Sequence, residues 1–239
     1  MTARTLRVIG PGRAGRSVAT ALEGTGRWEV RGVLGRGDHV SGAAAGVDVL
    51  LIAVPDAAVA GVAAAVEPDD VVVVAHLSGS LGLAPLAGHR RRAVLHPLVA
   101  LPDAETGAAR LRGAWFGLAL TGDVAVEEIV GDLGGHPLHL AEGDWAAYHA
   151  AAAIASNHLV ALLGQVDRVA ATVGVPLAAY LDLVRGTVDN VAALGPAAAL
   201  TGPVRRGDQA TIDRHVAALP DDERAAYLAL VEEAHKLCR

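Results

Sequence analysis

The stretch "LRVIGPGRAGRSVATAL", Leu6 to Leu22, joins a short β-type run to an Ala-rich helical one through three glycines. Gly10, Gly12 and Gly15 stand in the spacing G-x-G-x-x-G. The chain holds 28 glycines and glycine is a common turn residue, so the spacing alone decides little. Its position decides more: it follows a strand and opens a helix at the start of an alternating β/α run, where a dinucleotide-binding loop belongs. In such a loop Gly10 allows the tight turn, Gly12 lets backbone approach a pyrophosphate, and Gly15 lets the helix pack closely. The helix N-terminus adds N–H donors and partial positive charge. Pro11, Arg13 and Ala14 complete the candidate cofactor loop, with an incidental turn as the alternative.

Working outward, "WEVRGVLG", "VDVLLIAVP", "DDVVVVAHLS", "RAVLHPL" and "WFGLALTG" read as further strands, with helices near 14–22 and 57–66. Val49 to Ile52 and Val71 to Val74 are continuously apolar rather than alternating, the mark of strands covered on both faces. After Gly143 the strand signal stops. One long helical pattern runs from Asp144 to about Val173, and Pro176 starts another that reaches Leu194. "GPAAALTGPVRRGD" breaks the pattern, and helices follow over Gln209 to Leu219 and, from Pro220, Asp221 to Leu237. The expected fold is α/β, a doubly wound, mostly parallel sheet over residues 1–143, followed by an all-α domain over 144–239.

Composition narrows the function classes. The 239 residues are 52% hydrophobic and 19% charged, enough for a sizeable core. A net charge of -6 argues against a nucleic-acid partner, and the one dense basic run, His89 to Arg92, reads as a solvated turn before a strand. A single cysteine, Cys238, allows neither an intrachain disulfide nor a thiol metal cluster, and no metal site is expected. The N-terminus enters a strand without a signal-peptide pattern, and no apolar run is expected to reach the ~18 residues of a membrane span. A cytoplasmic protein without a membrane partner is the expectation.

In doubly wound sheets, ligands sit beyond the C-terminal ends of the strands. The second strand ends in "VLGRGD", placing Gly35 and Arg36 where an acidic residue would take the ribose hydroxyls of NAD; an arginine there accepts the 2′-phosphate of NADP. NADP is therefore expected, Asp38 keeps NAD open, and Arg36 reads equally as a solvated loop residue. Later strand ends offer "AVPD", with Val54, Pro55 and Asp56, then "HLSGS", with Ser78, and "HPL", with His96. Each is a plain turn or strand end on the bland account. Polar groups at successive strand ends also suit a nicotinamide and an anionic substrate, which makes Ser78 a candidate for both cofactor contact and catalysis and His96 a candidate for catalysis. On the long helix His149 and Ser156 lie seven apart and share a face, with Asn157 about 80° away, facing either solvent or a wet cleft.

At these residues the chain resembles a family of Rossmann-like proteins with a C-terminal helical domain of unknown function. That family is grouped with 6-phosphogluconate dehydrogenase, ketopantoate reductase and pyrroline-5-carboxylate reductase. "VIGPGRAG", "AVPD", "H-x-S-G", "HPL", "YHAAAAIASNHLVAL" and "LTGPVRRGD" carry the resemblance, and Thr201 to Asp208 is its most specific part. It implies an NADP-linked oxidoreductase in which Gly10, Gly12 and Gly15 hold pyrophosphate, Arg36 the 2′-phosphate, and Pro55 with Asp56 the nicotinamide ribose. "HPL" is also similar to the His-Pro element of prephenate dehydrogenases, making His96 the catalytic candidate by analogy. β-Hydroxyacid dehydrogenases and ketopantoate reductases place a catalytic lysine on the long helix, whereas this chain's one lysine is Lys236. Its helix offers His149, Ser156, Asn157 and His158 instead.

The leading expectation is hydride transfer between NADP and a small oxo or hydroxy acid. His96 or His149 would move the proton, with Ser78 and Asn157 fixing the carboxylate or carbonyl. An imine reductase of the pyrroline-5-carboxylate type and a non-catalytic NADP-binding module are the alternatives. Ser156, Arg205 and Arg206 are the candidate contacts for an anionic substrate; a turn in which Asp208 caps the next helix explains the last segment equally. A homodimer through the Ala-rich helical domain is expected.

Overall fold

The structure, a computed structural model, describes residues 3–122 and 125–238. Seven strands form one sheet: β1 (Arg4–Ile9), β2 (Trp28–Leu34), β3 (Val49–Ile52), β4 (Val73–His76), β5 (Arg92–Pro97), β6 (Trp115–Leu120) and β7 (His136–His139). Their order is β2-β1-β3-β4-β5-β6-β7. β1 to β5 run parallel, β6 lies antiparallel to β5, and β7 is parallel to β6. The chain leaves β1 to one side for β2 and returns to the other for β3, so the switch point of the winding lies between β1 and β3.

The strand residues dictate this burial. Val49, Leu50, Leu51 and Ile52 are all fully buried, as a strand covered on both faces requires. Their alternation sends Val49 and Leu51 to one core and Leu50 and Ile52 to the other. The first core holds Val18 and Leu22 of helix α1 (Arg13–Glu23), while Val59 and Ala63 of α2 (Asp56–Ala65) fill the second. Each large apolar side chain among these contributes roughly 1.5–3 kcal/mol. α3 (Ala104–Leu111) and α4 (Ala125–Asp132) complete the first core with Leu111, Val126 and Ile129. Asp103 caps α3, its carboxylate accepting from the Thr106 N–H at 2.8 Å.

Several local expectations differ from the outcome. Val71 is 71% exposed and β4 begins only at Val73, so the apolar run outlasts the strand. His89 is buried rather than solvated, with Nε2 2.9 Å from the Ala63 carbonyl. The pattern break after Leu194 contains two short helices, α8 (Pro196–Ala199) and α9 (Gly202–Arg206).

The contacts divide the chain into units 1–156 and 157–239. α5 (Trp145–Ala153) belongs to the first, because Trp145, 2% exposed, packs on Val94 and Ala119 of the sheet. The expected continuous helix is interrupted by a π turn, Ile154–His158, before α6 (Leu159–Ala171) resumes. Wider winding there moves Ser156 out of the α-helical phase that would align it with His149. The second unit continues with α7 (Ala178–Leu194), then α8 and α9, α10 (Gln209–Ala218) and α11 (Asp221–Lys236). Pro176 and Pro220 precede α7 and α11 rather than entering them. Gly207, at φ +66°, ends α9, and Asp208 caps α10 by accepting from Thr211 N–H at 3.1 Å, the plainer of the two accounts of that segment. Glu223, 5% exposed, is ion-paired with Arg168 and accepts at its backbone carbonyl from Gln165.

Glu142–Ala171 is long and apolar enough to cross a membrane by length and composition, with a mean hydropathy of 1.2 over its most apolar 18 residues. Interspersed polar residues hide this from a search for an uninterrupted apolar run.

Candidate active site

The first group of site residues lies at the switch point. Gly10 adopts φ +117°, and a Cβ there would come within 2.2 Å of the Ala53 carbonyl oxygen, so only glycine lets the loops after β1 and β3 touch. A Cβ on Gly15 would meet the Gly10 oxygen at the same 2.2 Å. A Cβ on Gly12 would meet nothing within 4 Å, and this residue starts α1 without a side-chain cap or an acidic residue in the first turn. The N–H groups of this turn are thus open to an anion. Arg16 Nε donates to the Pro11 carbonyl at 2.8 Å and steadies the loop.

The tip of β2 reaches the same place. Gly10 N–H donates to the Leu34 carbonyl at 2.8 Å, and the α-carbon of Gly35 abuts Pro11. Arg36 is exposed in the turn that follows. Asp38 is turned back, accepting from Gly35 N–H at 2.7 Å, so its carboxylate is occupied within its own turn. Arg36 is left as the charged side chain suited to an incoming phosphate.

The second group lies at the ends of β3, β4 and β5. Asp56, the first residue of α2, accepts from Ser80 Oγ at 2.5 Å. Since the Ser80 hydroxyl hydrogen goes to Asp56, the Ser78 hydroxyl, 3.3 Å away, donates to Ser80 Oγ, while Ser80 N–H donates to Ser78 Oγ at 3.2 Å. Ser78, 8% exposed, is therefore wired to a carboxylate. His76 holds this loop from beneath: its Nδ1 accepts from Ser78 N–H at 3.1 Å, so Nε2 carries the hydrogen and donates to the Gly82 carbonyl at 3.0 Å. Burial pushes its pKa below the ordinary histidine value and keeps it neutral.

His96 projects from β5 beside this loop. Nδ1 lies 2.9 Å from the Tyr148 hydroxyl, and the two rings meet edge to face at 5.4 Å. His149 stands edge-on at 6.0 Å on the same helix as Tyr148, α5. Two glycines clear the space. A Cβ on Gly79 would lie 2.6 Å from His96 Nε2, and one on Gly117, directly across the β5–β6 pairing from His96, would lie 2.9 Å from the Tyr148 hydroxyl oxygen. Burial first, then the neighbouring His149, lowers the His96 pKa to about 4 against a weaker opposing pull from Asp56. Burial likewise raises Tyr148 above the usual phenol value.

Of the residues singled out in the sequence, Asp56, Ser78, His96 and His149 come together at these strand ends. Ser156 is exposed in the π turn, while Asn157, Arg205 and Arg206 are exposed and belong to the second unit. Ser80 and Tyr148 escaped sequence reasoning. The signals were present in Gly79 after Ser78 and in Gly117 inside "WFGLAL", since a glycine within a strand often marks close approach by another group.

A glycine loop at the switch point of a doubly wound sheet, followed by a helical unit, defines a Rossmann-like protein with a helical C-terminal region. More particularly, residues 120–234 match the domain of unknown function DUF2520. Among solved structures the fold is similar to a protein from Bacteroides fragilis assigned as an NADP oxidoreductase, with 16% identity, a TM-score of 0.80 and 98% of each chain covered. A protein from Thermotoga maritima is similar at 22% identity and a TM-score of 0.74, again over 98% of each chain. A pyrroline carboxylate reductase from Plasmodium falciparum with NADP bound follows at 12% identity and a TM-score of 0.65, over 100% of each chain. No curated protein matches the chain.

Proposed function

We propose that the chain is an NADP-dependent reductase of a small substrate and that its substrate carries a C=N bond. The carrying observation is His96, held neutral at the strand ends by its half-buried setting. An oxo acid needs a proton for its nascent alkoxide, and a lysine supplies it in the ketopantoate type. Lys236, near the C-terminus, is the one lysine in this chain, and His96, with a pKa of about 4, holds almost no proton to give at neutral pH. A protonated imine already carries its proton, and a neutral His96 beside Asp56 does not repel it as an imidazolium would. The pyrroline carboxylate reductase likeness supports the same choice.

The cofactor fits the residues present: the open space over Gly12 and the uncapped start of α1 suit a pyrophosphate. Gly10, Pro11, Gly12, Arg13, Ala14 and Gly15 would hold it, Arg36 the 2′-phosphate, and Val54, Pro55 and Asp56 the nicotinamide ribose. Bound NADPH supplies the hydride. Ser78 accepts a hydrogen bond from the substrate nitrogen while its own hydrogen stays on the Ser80–Asp56 relay, and His96 orients an anionic group of the substrate. Burial first, and His149 after it, keeps His96 neutral. Within the second unit taken by itself, Arg205 and Arg206 are proposed as contacts for an anionic group.

An oxo-acid substrate is the second reading, favoured by Tyr148, which retains its phenol proton beside His96. The test is to mix the protein with NADPH and panels of cyclic imines and oxo acids. The expected result is loss of NADPH absorbance with imines; stabilisation by NADPH without turnover of either panel would instead identify a binding module.

The chain is further proposed to work in the cytoplasm as a homodimer. α7 buries none of its residues, and Leu183, Leu194, Ile154 and Val160 are each 60–70% exposed. An isolated helix of this length is marginal in water and needs a cover. Light scattering should give a dimer mass, and Leu183→Asp should yield a monomer.

A further inference from the structure

His96 has two ring nitrogens of unequal circumstance. Nδ1 is 2.9 Å from the Tyr148 hydroxyl, whereas Nε2 stands over the α-carbon of Gly79 and makes no hydrogen bond among the described residues. The ring is neutral, so it carries one hydrogen, and whichever nitrogen holds it is the only donor the ring has. Tyr148 keeps its own proton and rests on Gly117, whose backbone amide favours negative charge on the phenol oxygen. With that amide turned to the oxygen, the hydroxyl hydrogen is directed at His96 Nδ1. The ring of Tyr148 is itself fixed by Trp145, which meets it edge to face at 5.7 Å and is buried against the sheet.

We propose that Tyr148 is a positioning residue that sets the tautomer of His96. It donates to Nδ1, and Nε2–H is thereby presented above Gly79 as a neutral donor for an oxygen acceptor, a carboxylate or carbonyl of the substrate. The kinetic consequence rests on the reductase reading, whereas the tautomer itself does not. The groups facing His96 are Tyr148 and His149 from α5, Asp56 from α2 and His76 from β4; none of them offers Nδ1 a second partner.

Nitrogen NMR of the ligand-free protein, labelled at histidine, reads the tautomer directly. His96 should show hydrogen on Nε2 near neutral pH, and Tyr148→Phe should move the population towards Nδ1–H or a mixture. Hydrogen on Nδ1 in the unaltered protein would overturn the proposal without any variant being made. So would an unchanged spectrum in a folded Tyr148→Phe protein. For a substrate turned over with NADPH, Tyr148→Phe should lower kcat/KM about tenfold and leave stabilisation by NADPH unchanged. An Nε2–H tautomer in a protein that reduces nothing would refute the reductase reading and leave the tautomer assignment standing.

Discussion

Replacing Gly79 with alanine should separate stability from cofactor binding. The added Cβ would sit 2.6–2.7 Å from Nε2, Cδ2 and Cε1 of His96. Ordinary carbon contacts lie near 3.5–4.0 Å, so the ring must retreat by about 1 Å. Gly79 is not in the left-handed region, so alanine carries no backbone penalty there. It also stiffens the unfolded chain, a stabilising effect of about 0.4–1 kcal/mol. Overpacking typically costs about 1–3 kcal/mol. The balance is a destabilisation of roughly 1–2 kcal/mol, or a Tm lowered by about 2–8 °C in a chain of this length. As the ring retreats, the 2.9 Å bond to Tyr148 breaks and turnover falls. Gly12→Ala is the complementary change: its Cβ meets nothing within 4 Å, so Tm should hold, while the rise in Tm on adding NADPH should disappear. Thermal unfolding with and without NADPH reads both variants. A Gly79→Ala protein as stable and as active as the parent would refute the close packing of His96 on this loop, and a Gly12→Ala protein still stabilised by NADPH would remove the glycine loop from the cofactor site.

Arg36→Ala should weaken NADPH binding about 10–100-fold, the worth of one charge-assisted phosphate contact, and leave NADH binding nearly unchanged in a fluorescence titration. His96 gives a stability contribution with a definite sign. Its folded pKa of about 4 lies below the ordinary 6.5, so its contribution is complete above pH 6.5 and is lost as the pH falls towards 4. Urea unfolding should show this loss at about 3 kcal/mol by pH 4, and His96→Gln should flatten it. Glu223, lowered by its hydrogen bond to Arg168, contributes stability that is present above the ordinary carboxylate value and disappears as the pH drops through its folded pKa. Glu223→Gln should remove that acid-limb dependence and lower the urea midpoint at pH 7.

Much of the fold was legible because the strongest signals are local. Val49 to Ile52 announce a strand covered on both faces, and the glycine loop announces the turn after β1. β7 escaped because "HPLH" has a proline and two histidines on a short strand at the sheet edge, where little burial is demanded. α3 escaped because Gly107 interrupts its periodicity; that glycine is needed where a Cβ would strike Ser17 Oγ of α1 at 2.0 Å. The π turn leaves no periodic trace in an Ala-rich segment. At the candidate site, Asp56, Ser78 and His96 were legible because each stands at or just after a strand end. Tyr148 was not, because its partner is 52 positions away and adjacent residues on a helix face different directions, so His149 gives no sign of it.

The antiparallel pairing of β5 with β6 ties the chemistry to strand register. His96 lies opposite Gly117, flanked on β6 by the bulky Phe116 and Leu118. A slip of one residue would bring one of those side chains under Tyr148 and turn the whole of β6 over. Insertions in the connection from β5 to α3, residues 98–102, can therefore accumulate with little consequence for the site. A single residue inserted or deleted inside β6 would instead disable the site even where a sheet still forms. Homologous chains that vary freely in the connection but never in the length of β6 would bear the signature of that constraint.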